Sequence, residues 1–193
     1  MKALTRLGLV VASIGLLACG QSSAAPSSSG SMPRMDHGSA SGGLDQKFVT
    51  GMLPHHQAAL DMANVELQKG KNPQVKALAQ TIIDDQTREQ GLMRSVAASH
   101  SWDTSSMSMS PEQLMGQPIE MGMSQMAADV AAGADTDRAF LQLMIPHHAM
   151  AVVMAQTEAK HGTEPQLKQL ATSIVAAQAR EIGQMQSLLG AAG

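Results

Sequence analysis

The sequence predicts an all-α protein, a four-helix bundle built from two copies of one helical hairpin. The stretch from Asp45 to Ser95 aligns without a gap with the stretch from Asp137 to Ser187, and 23 of 51 positions are identical. Within each copy, apolar residues recur at three- and four-residue steps, which places them on one face of a helix. No segment alternates polar and apolar residues as a half-buried strand would. Two amphipathic hairpins bury one another most simply as a bundle.

The N-terminus has the features of an export signal, which we assign to residues 1–18. Lys2 and Arg6 precede an apolar run that ends at Ala18. The run is shorter than the roughly 20 residues that span a bilayer. The residues before Cys19 resemble the bacterial lipobox, in which the cysteine is acylated. We therefore predict a bacterial envelope protein held at the membrane by a lipid on Cys19; an ordinary signal peptide with an incidental cysteine is the alternative.

The mature chain lacks the residues for several other functions. Cys19 is the only cysteine, so a lipidated chain has no free thiol and no disulfide. Removal of the signal leaves 11 basic residues against 16 acidic ones. Without a basic block or interleaved aromatic residues, the composition argues against nucleic-acid binding. Residues 19–43, which contain the acylated cysteine and a Ser/Gly/Ala-rich stretch, are predicted to be a flexible tether.

The first repeat, residues 44–100, carries a start signal for each helix of its hairpin. Asp45 is predicted to cap a first helix that ends near Gly70. Asn72 and Pro73 then mark the start of the second helix, with proline at its first position.

The second repeat, residues 135–193, carries the same signals at Asp135 to Asp137 and at Glu164 with Pro165. One proline lies inside the first helix of each repeat, Pro54 and Pro146, directly before a pair of histidines. Proline removes a helical hydrogen bond. Each helix is therefore expected either to curve against its neighbour or to open locally beside the histidines.

Methionine is the compositional outlier, with 16 residues against two Phe, one Trp and no Tyr. Packing alone does not explain methionines in segments rich in Ser, Gly and Pro. We therefore predict flexible metal ligands in the tether and in an insert at residues 101–134; these are Met32, Met35, His37, Met107, Met109, Met121 and Met123.

The first helix of each repeat combines methionine with a histidine pair. Met52 lies three and four residues before His55 and His56, so their side chains are neighbours on a helix and can share one ion. Met62 is about 10 Å further along the axis, too far for that ion, so it serves another site or packs. From the second helix, Glu89 and Met93 can approach across the hairpin. The second repeat presents the same set, and each repeat is expected to hold its own site; its residues are Met144, His147, His148, Met150, Met154, Glu181 and Met185.

The ligand types select the metal. Thioether sulfur suits Cu(I), imidazole suits copper and zinc, and hard cations prefer carboxylates. Copper, favoured as Cu(I), is therefore the predicted ion. A methionine stripe at helical spacing is also an ordinary way to fill a core, and this alternative stays open for Met62, Met93 and Met154.

The repeated pattern resembles an exported family called domain of unknown function 305. The pattern is Asp-x-x-Phe, then Met-x-x-His-His-x-x-Ala-x-x-Met-Ala, then Gln-x-x-Glu-x-x-x-Met; it begins at Asp45 and again at Asp137. The resemblance implies a ferritin-like helical bundle and a copper-binding role in the periplasm or at the cell surface. Gln90 departs from it, since the family often has Ile there, as Ile182 in the second copy.

We therefore expect a binding protein rather than an enzyme, used in copper sequestration, tolerance or delivery, with a copper-handling protein as a possible partner. One alternative is a helical surface protein whose methionines only pack. Another is a ferritin-like di-iron oxidase, which needs Glu-x-x-His on two helices. Only Glu158 and His161 have that spacing. The equivalent residues in the first copy are Glu66 and Lys69, so the histidine is missing there.

Overall fold

The computed structural model describes residues 42–104 and 122–191. Both ranges are helical and contain no strand, which confirms the predicted all-α fold. The helices are α1 (Gly42–Lys69), α2 (Pro73–Ser99), α3 (Met123–Ala132), α4 (Thr136–His161) and α5 (Pro165–Ala191). The four long helices form the two predicted hairpins, α1 with α2 and α4 with α5. No helix in the described ranges is long and apolar enough to cross a membrane.

The helix starts follow the sequence signals with one exception. Asn72 caps α2 by accepting the backbone N–H of Gln74 at 2.9 Å, and Asp135 caps α4 by accepting that of Arg138 at 3.2 Å. The prediction that Asp45 caps α1 is wrong, because α1 already begins at Gly42. Asp45 is buried in the first turn, and its carboxylate instead binds the loop of the other hairpin.

Both internal prolines are accommodated within continuous helices. Pro54 lies inside α1 and Pro146 lies inside α4. Proline has no N–H, so the carbonyl four residues before each one loses its helical donor. Residues on both sides of each proline are buried in the core, and this burial favours continuation of the helix over a break.

The core has two parts, one toward each end of the bundle. The first cluster takes the start of α1, the end of α2, the second half of α4 and the start of α5; it consists of Phe48, Val49, Met52, Leu53, Met93, Val96, Ala97, Met150, Ala151, Met154, Ala155, Leu167, Leu170, Ala171 and Ile174. The second cluster takes the opposite segments and α3; it consists of Ala59, Met62, Ala63, Val75, Leu78, Ala79, Ile82, Met126, Val130, Phe140, Leu141, Met144 and Met185.

The short helix α3 is a structural element that the sequence analysis did not predict. It packs on α1 and α4 and places Met126 and Val130 in the second cluster. Their four-residue spacing is the signal that could have identified the helix. The Gly-, Ser- and Pro-rich residues that precede it obscured that signal.

Candidate metal site

A polar layer separates the two hydrophobic clusters. On each long helix, the polar residues lie between the stretch that enters one cluster and the stretch that enters the other. We call this group the histidine layer; it consists of His55, His56, Gln86, Glu89, His147, His148, Gln178 and Glu181. All four histidines are fully buried. The rings of His55 and His147 lie face to face at the centre, with centroids 3.7 Å apart and planes inclined by 35°.

The outer histidine of each pair bonds to a glutamate of its own hairpin. His56 Nε2 lies 2.7 Å from Glu89 Oε2, and His148 Nε2 lies 2.8 Å from Glu181 Oε2. The two glutamate side chains are 14% and 11% exposed, so each joins a buried imidazole to the solvent side of the bundle. Glu89 thus approaches across the hairpin, as its position predicted.

The inner histidines have no comparable partner. Among the described residues, neither ring nitrogen of His55 or His147 has a hydrogen-bond partner, and the same holds for Nδ1 of His56 and His148. The side-chain amides of Gln86 and Gln178 are also buried without partners in this part of the chain. A buried polar atom normally finds a protein group, a water or an ion, so this concentration marks the layer as a site for bound species.

Burial keeps His55, His56 and His147 neutral. The pKa of His55 lies well below its usual range, because burial and then the neighbouring His56 and His148 disfavour the imidazolium, although an interaction with the backbone of His147 opposes the shift. Burial and repulsion from His55 lower the pKa of His147 in the same way. The pKa of His56 falls to about 3, again chiefly through burial, although Glu181 opposes the shift. A neutral imidazole keeps a lone pair, which metal binding requires.

Burial raises the pKa of Glu89 to about 7. Repulsion from Glu181 and Asp85 adds to the effect, whereas His148 and Arg88 oppose it. The two glutamates are therefore electrostatically linked across the interface between the hairpins.

The methionines of the two repeats are exchanged in part between the clusters, so each cluster combines residues predicted for both ligand sets. Met52 and Met93 share the first cluster with Met150 and Met154 of the second repeat. Met62 shares the second cluster with Met144, Met185 and Met126, the last of which the sequence analysis did not single out. Antiparallel packing of α1 and α4 causes the exchange, because it places the start of one helix beside the end of the other.

The predicted lipidation site Cys19 and several predicted ligands lie outside the described residues; these ligands are Met32, Met35, His37, Met107, Met109 and Met121. Met123 is the first residue of α3 and thus belongs to a helix rather than to a flexible segment. His100 and His161 are exposed, and His100 Nε2 lies 3.0 Å from Glu164 Oε2.

The described part of the chain contains no cluster of three His, Cys, Asp or Glu ligands that could hold a metal ion. The spacing of Glu158 and His161 forms no di-iron site, because Glu158 is fully buried and His161 is exposed.

A groove of about 500 Å³ between α2 and α5 reaches the edge of the histidine layer. Glu89 forms part of its wall, with Arg88 and Arg180 beside it and the small residues Ser173 and Ala177 opposite. Because Glu89 also bonds to His56, the groove connects solvent to a buried imidazole through one carboxylate.

Comparison with known proteins places these residues in a family context. The model of the DUF305 family, a domain of unknown function, matches residues 45–189. The solved structure of CopM in its Cu(II)-bound form is 36% identical, with a TM-score of 0.64, and the match covers 77% of this chain and 97% of CopM. CopM has also been solved in Cu(I)-bound and silver-bound forms.

Two further relatives are less informative about ligands. A Streptomyces coelicolor DUF305 protein, described as a candidate secreted protein, is 27% identical with a TM-score of 0.68; the match covers 76% of this chain and 92% of that protein. The uncharacterized protein L153 of Acanthamoeba polyphaga mimivirus is 43% identical over 53 residues, which are 28% of this chain. The match spans only 35% of the length of L153.

Proposed function

This chain belongs to the DUF305 family, as the repeated pattern indicated. From that premise we propose that it is an exported copper-binding protein that holds Cu(I) between the histidine layer and the methionine clusters. The observation that carries the proposal is the set of buried, neutral imidazoles with unpaired nitrogens, flanked on both sides by thioethers. The copper- and silver-bound structures of the related CopM support the same choice of metal.

The outer histidines have the arrangement that metal-binding histidines commonly show. When Glu89 is ionised it can only accept, so His56 donates from Nε2 and keeps a lone pair on Nδ1. A carboxylate behind the ring fixes its orientation and strengthens it as a ligand. His148 and Glu181 repeat this arrangement.

The inner histidines supply the link to sulfur. Met52 lies one helical turn before His55, and Met144 lies one turn before His147. His55 and Met52 would bind copper at the edge of the first cluster. His147 and Met144 would bind it at the edge of the second cluster. Cu(I) accepts imidazole and thioether together, whereas zinc gains little from thioether. Neither ligand type depends on a thiol.

The groove between α2 and α5 is the proposed route by which copper reaches the layer. Its wall includes Glu89, whose carboxylate can bind a cation at the surface and lies 2.7 Å from His56. Ser173 and Ala177 keep the passage open because their side chains are small.

The biological role that fits is sequestration, tolerance or delivery of copper in the bacterial envelope, with a lipid on Cys19 as the membrane anchor and a copper-handling protein as partner. We propose binding rather than catalysis. The alternative bundle in which methionines only pack does not account for the unpaired nitrogens of the histidine layer.

Competition titration tests the proposal. The protein without its signal peptide is titrated with Cu(I) and with Zn(II) against chromophoric chelators, under reducing conditions. We expect Cu(I) to bind more tightly than Zn(II). Absence of Cu(I) binding, or a preference for Zn(II), would refute the proposed function.

A further inference from the structure

Each interhelical loop is held by an aspartate of the other repeat. Asp137 of α4 accepts the backbone N–H groups of Lys71 and Asn72 in the α1–α2 loop, at 3.1 and 2.9 Å. Burial opposes ionisation of Asp137, but these hydrogen bonds outweigh it and lower its pKa. The carboxylate is therefore charged at neutral pH, and it ties the first hairpin to the second.

Asp45 makes the equivalent contact with the loop between α4 and α5. Asp45 of α1 accepts the N–H of Thr163 at 2.9 Å, its hydroxyl at 2.5 Å and the N–H of Glu164 at 3.3 Å. Its pKa is also lowered, since the hydrogen bonds from Thr163 and its neighbours outweigh burial. The two contacts are equivalent by the internal repeat.

A buried glutamate faces each of these charged aspartates. Glu66 and Glu158 are fully buried, and none of their carboxyl oxygens has a hydrogen-bond donor among the described residues. Each interacts instead with the carboxyl group of an aspartate, Glu66 with Asp137 and Glu158 with Asp45. Two carboxyl groups can share such a contact only when one of them carries a proton, which then lies between them.

The surroundings of Glu66 keep that proton on the glutamate. Burial raises its pKa to about 8, and the contact with Asp137 and the charge of Asp135 add to the effect. The cation Lys76 on α2 opposes it.

The surroundings of Glu158 are closely similar. Burial raises its pKa to about 8, and Asp45 and Glu164 add to the effect, while Lys168 on α5 opposes it. The two glutamates thus remain protonated at neutral pH in matching environments.

A glycine makes room for each protonated carboxyl group. Gly70 and Gly162 follow the last residues of α1 and α4, and a Cβ at either one would collide with the carboxyl group of Glu66 or Glu158. The N–H of each glycine bonds to the carbonyl of the same glutamate at 2.8 Å. The glycines, glutamates and aspartates are identical in the two repeats.

We propose that the Glu66–Asp137 and Glu158–Asp45 pairs are two proton-dependent latches that hold each interhelical loop to the opposite repeat and release it in alkaline solution. Loss of the proton leaves two adjacent carboxylates that repel each other. A glutamate whose folded pKa exceeds its unfolded value stabilises the fold most below the unfolded pKa, and the effect is lost as pH rises through about 8. The latches are separate from the proposed copper ligands.

Thermal unfolding of the metal-free protein between pH 6 and pH 9, in the presence of a chelator, tests the proposal. We compare the wild type with the double variant Glu66→Gln, Glu158→Gln, in which the amide can still donate to each aspartate. The wild-type melting temperature should fall by several degrees above pH 7, and the variant should lose more than half of that fall. Asp61→Asn, at an exposed position on α1, is the matched control and should follow the wild type.

Infrared spectroscopy gives a second readout that does not depend on stability. At neutral pH the protonated carboxyl bands should be stronger in the wild type than in the double variant, which keeps only the contribution of Glu89. Parallel pH profiles in the two proteins, or no difference in these bands, would overturn the proposal. So would a Ca²⁺- or Mg²⁺-dependent rise in melting temperature that only the wild type shows, since the carboxyl pairs would then hold a cation instead of a proton.

Discussion

His55 and His56 are adjacent and both fully buried, yet His56 bonds to Glu89 whereas neither ring nitrogen of His55 has a partner among the described residues. An unpaired buried polar group costs about 1–3 kcal/mol. Leucine has a similar size and no polar atom. In the metal-free protein, His55→Leu is therefore expected to raise the free energy of unfolding by about 1–3 kcal/mol. For a chain of this size, the melting temperature should rise by roughly 2–12 °C.

His56→Leu is the matched comparison, one residue away. It removes the partner of Glu89, whose side chain is only 14% exposed and whose carboxyl group is then left without its hydrogen bond. We expect the free energy of unfolding to fall by about 1–3 kcal/mol. Both variants should bind Cu(I) more weakly, because each removes one proposed ligand.

The assay combines urea or thermal unfolding of the metal-free protein with Cu(I) competition on the same preparation. Opposite changes in stability and a shared loss of copper affinity are expected for the two variants. If His55→Leu destabilises the protein as much as His56→Leu, His55 has a structural partner and the reasoning is wrong. If both variants retain full Cu(I) affinity, the histidine layer is architectural and not a copper site.

Three further predictions concern sulfur, access and location. Met52→Leu with Met144→Leu should weaken Cu(I) binding while each exchange costs less than about 1.5 kcal/mol of stability, because leucine conserves the volume; unchanged affinity in the competition titration would remove these thioethers from the site. Ser173→Phe should slow Cu(I) uptake in stopped-flow measurements by narrowing the groove, whereas Thr172→Phe, exposed and outside the groove, should not; equal rates would argue for another route. Cys19→Ala should move the protein from the membrane to the soluble fraction of cells, since one acyl anchor is proposed, and persistence in the membrane would contradict lipidation.

Local signals accounted well for the helices. Asn72 with Pro73 and Asp135 marked two helix starts correctly, because capping depends only on residues within one turn. Asp45 was misassigned as a cap for the same reason. Its actual partner, Thr163, is 118 residues away in the chain, and no local pattern reports such a contact.

The sequence contains a signal for the latch residues, namely their repetition. Glu66 and Gly70 recur in the second copy as Glu158 and Gly162, but an isolated glutamate in a helix usually lies in solvent. Their burial arises only when the loop of one repeat meets the first helix of the other. The repeat showed that these residues are duplicated. The packing showed the reason, which is that each copy contacts the loop of the other repeat.

By itself, the sequence determined that the chain is helical, that it contains two equivalent hairpins and that methionine and histidine share a helix face, since these properties follow from periodicity and residue identity. Only the tertiary structure decided which methionines lie together. Antiparallel packing places Met62 beside the cluster of Met144 and brings His55 within 3.7 Å of His147, measured between ring centroids. The repeat in the sequence suggests two separate sites, one in each hairpin. Because α1 and α4 pack antiparallel, however, the start of each of these helices lies beside the end of the other. The candidate site therefore belongs to the interface between the repeats and to neither repeat alone.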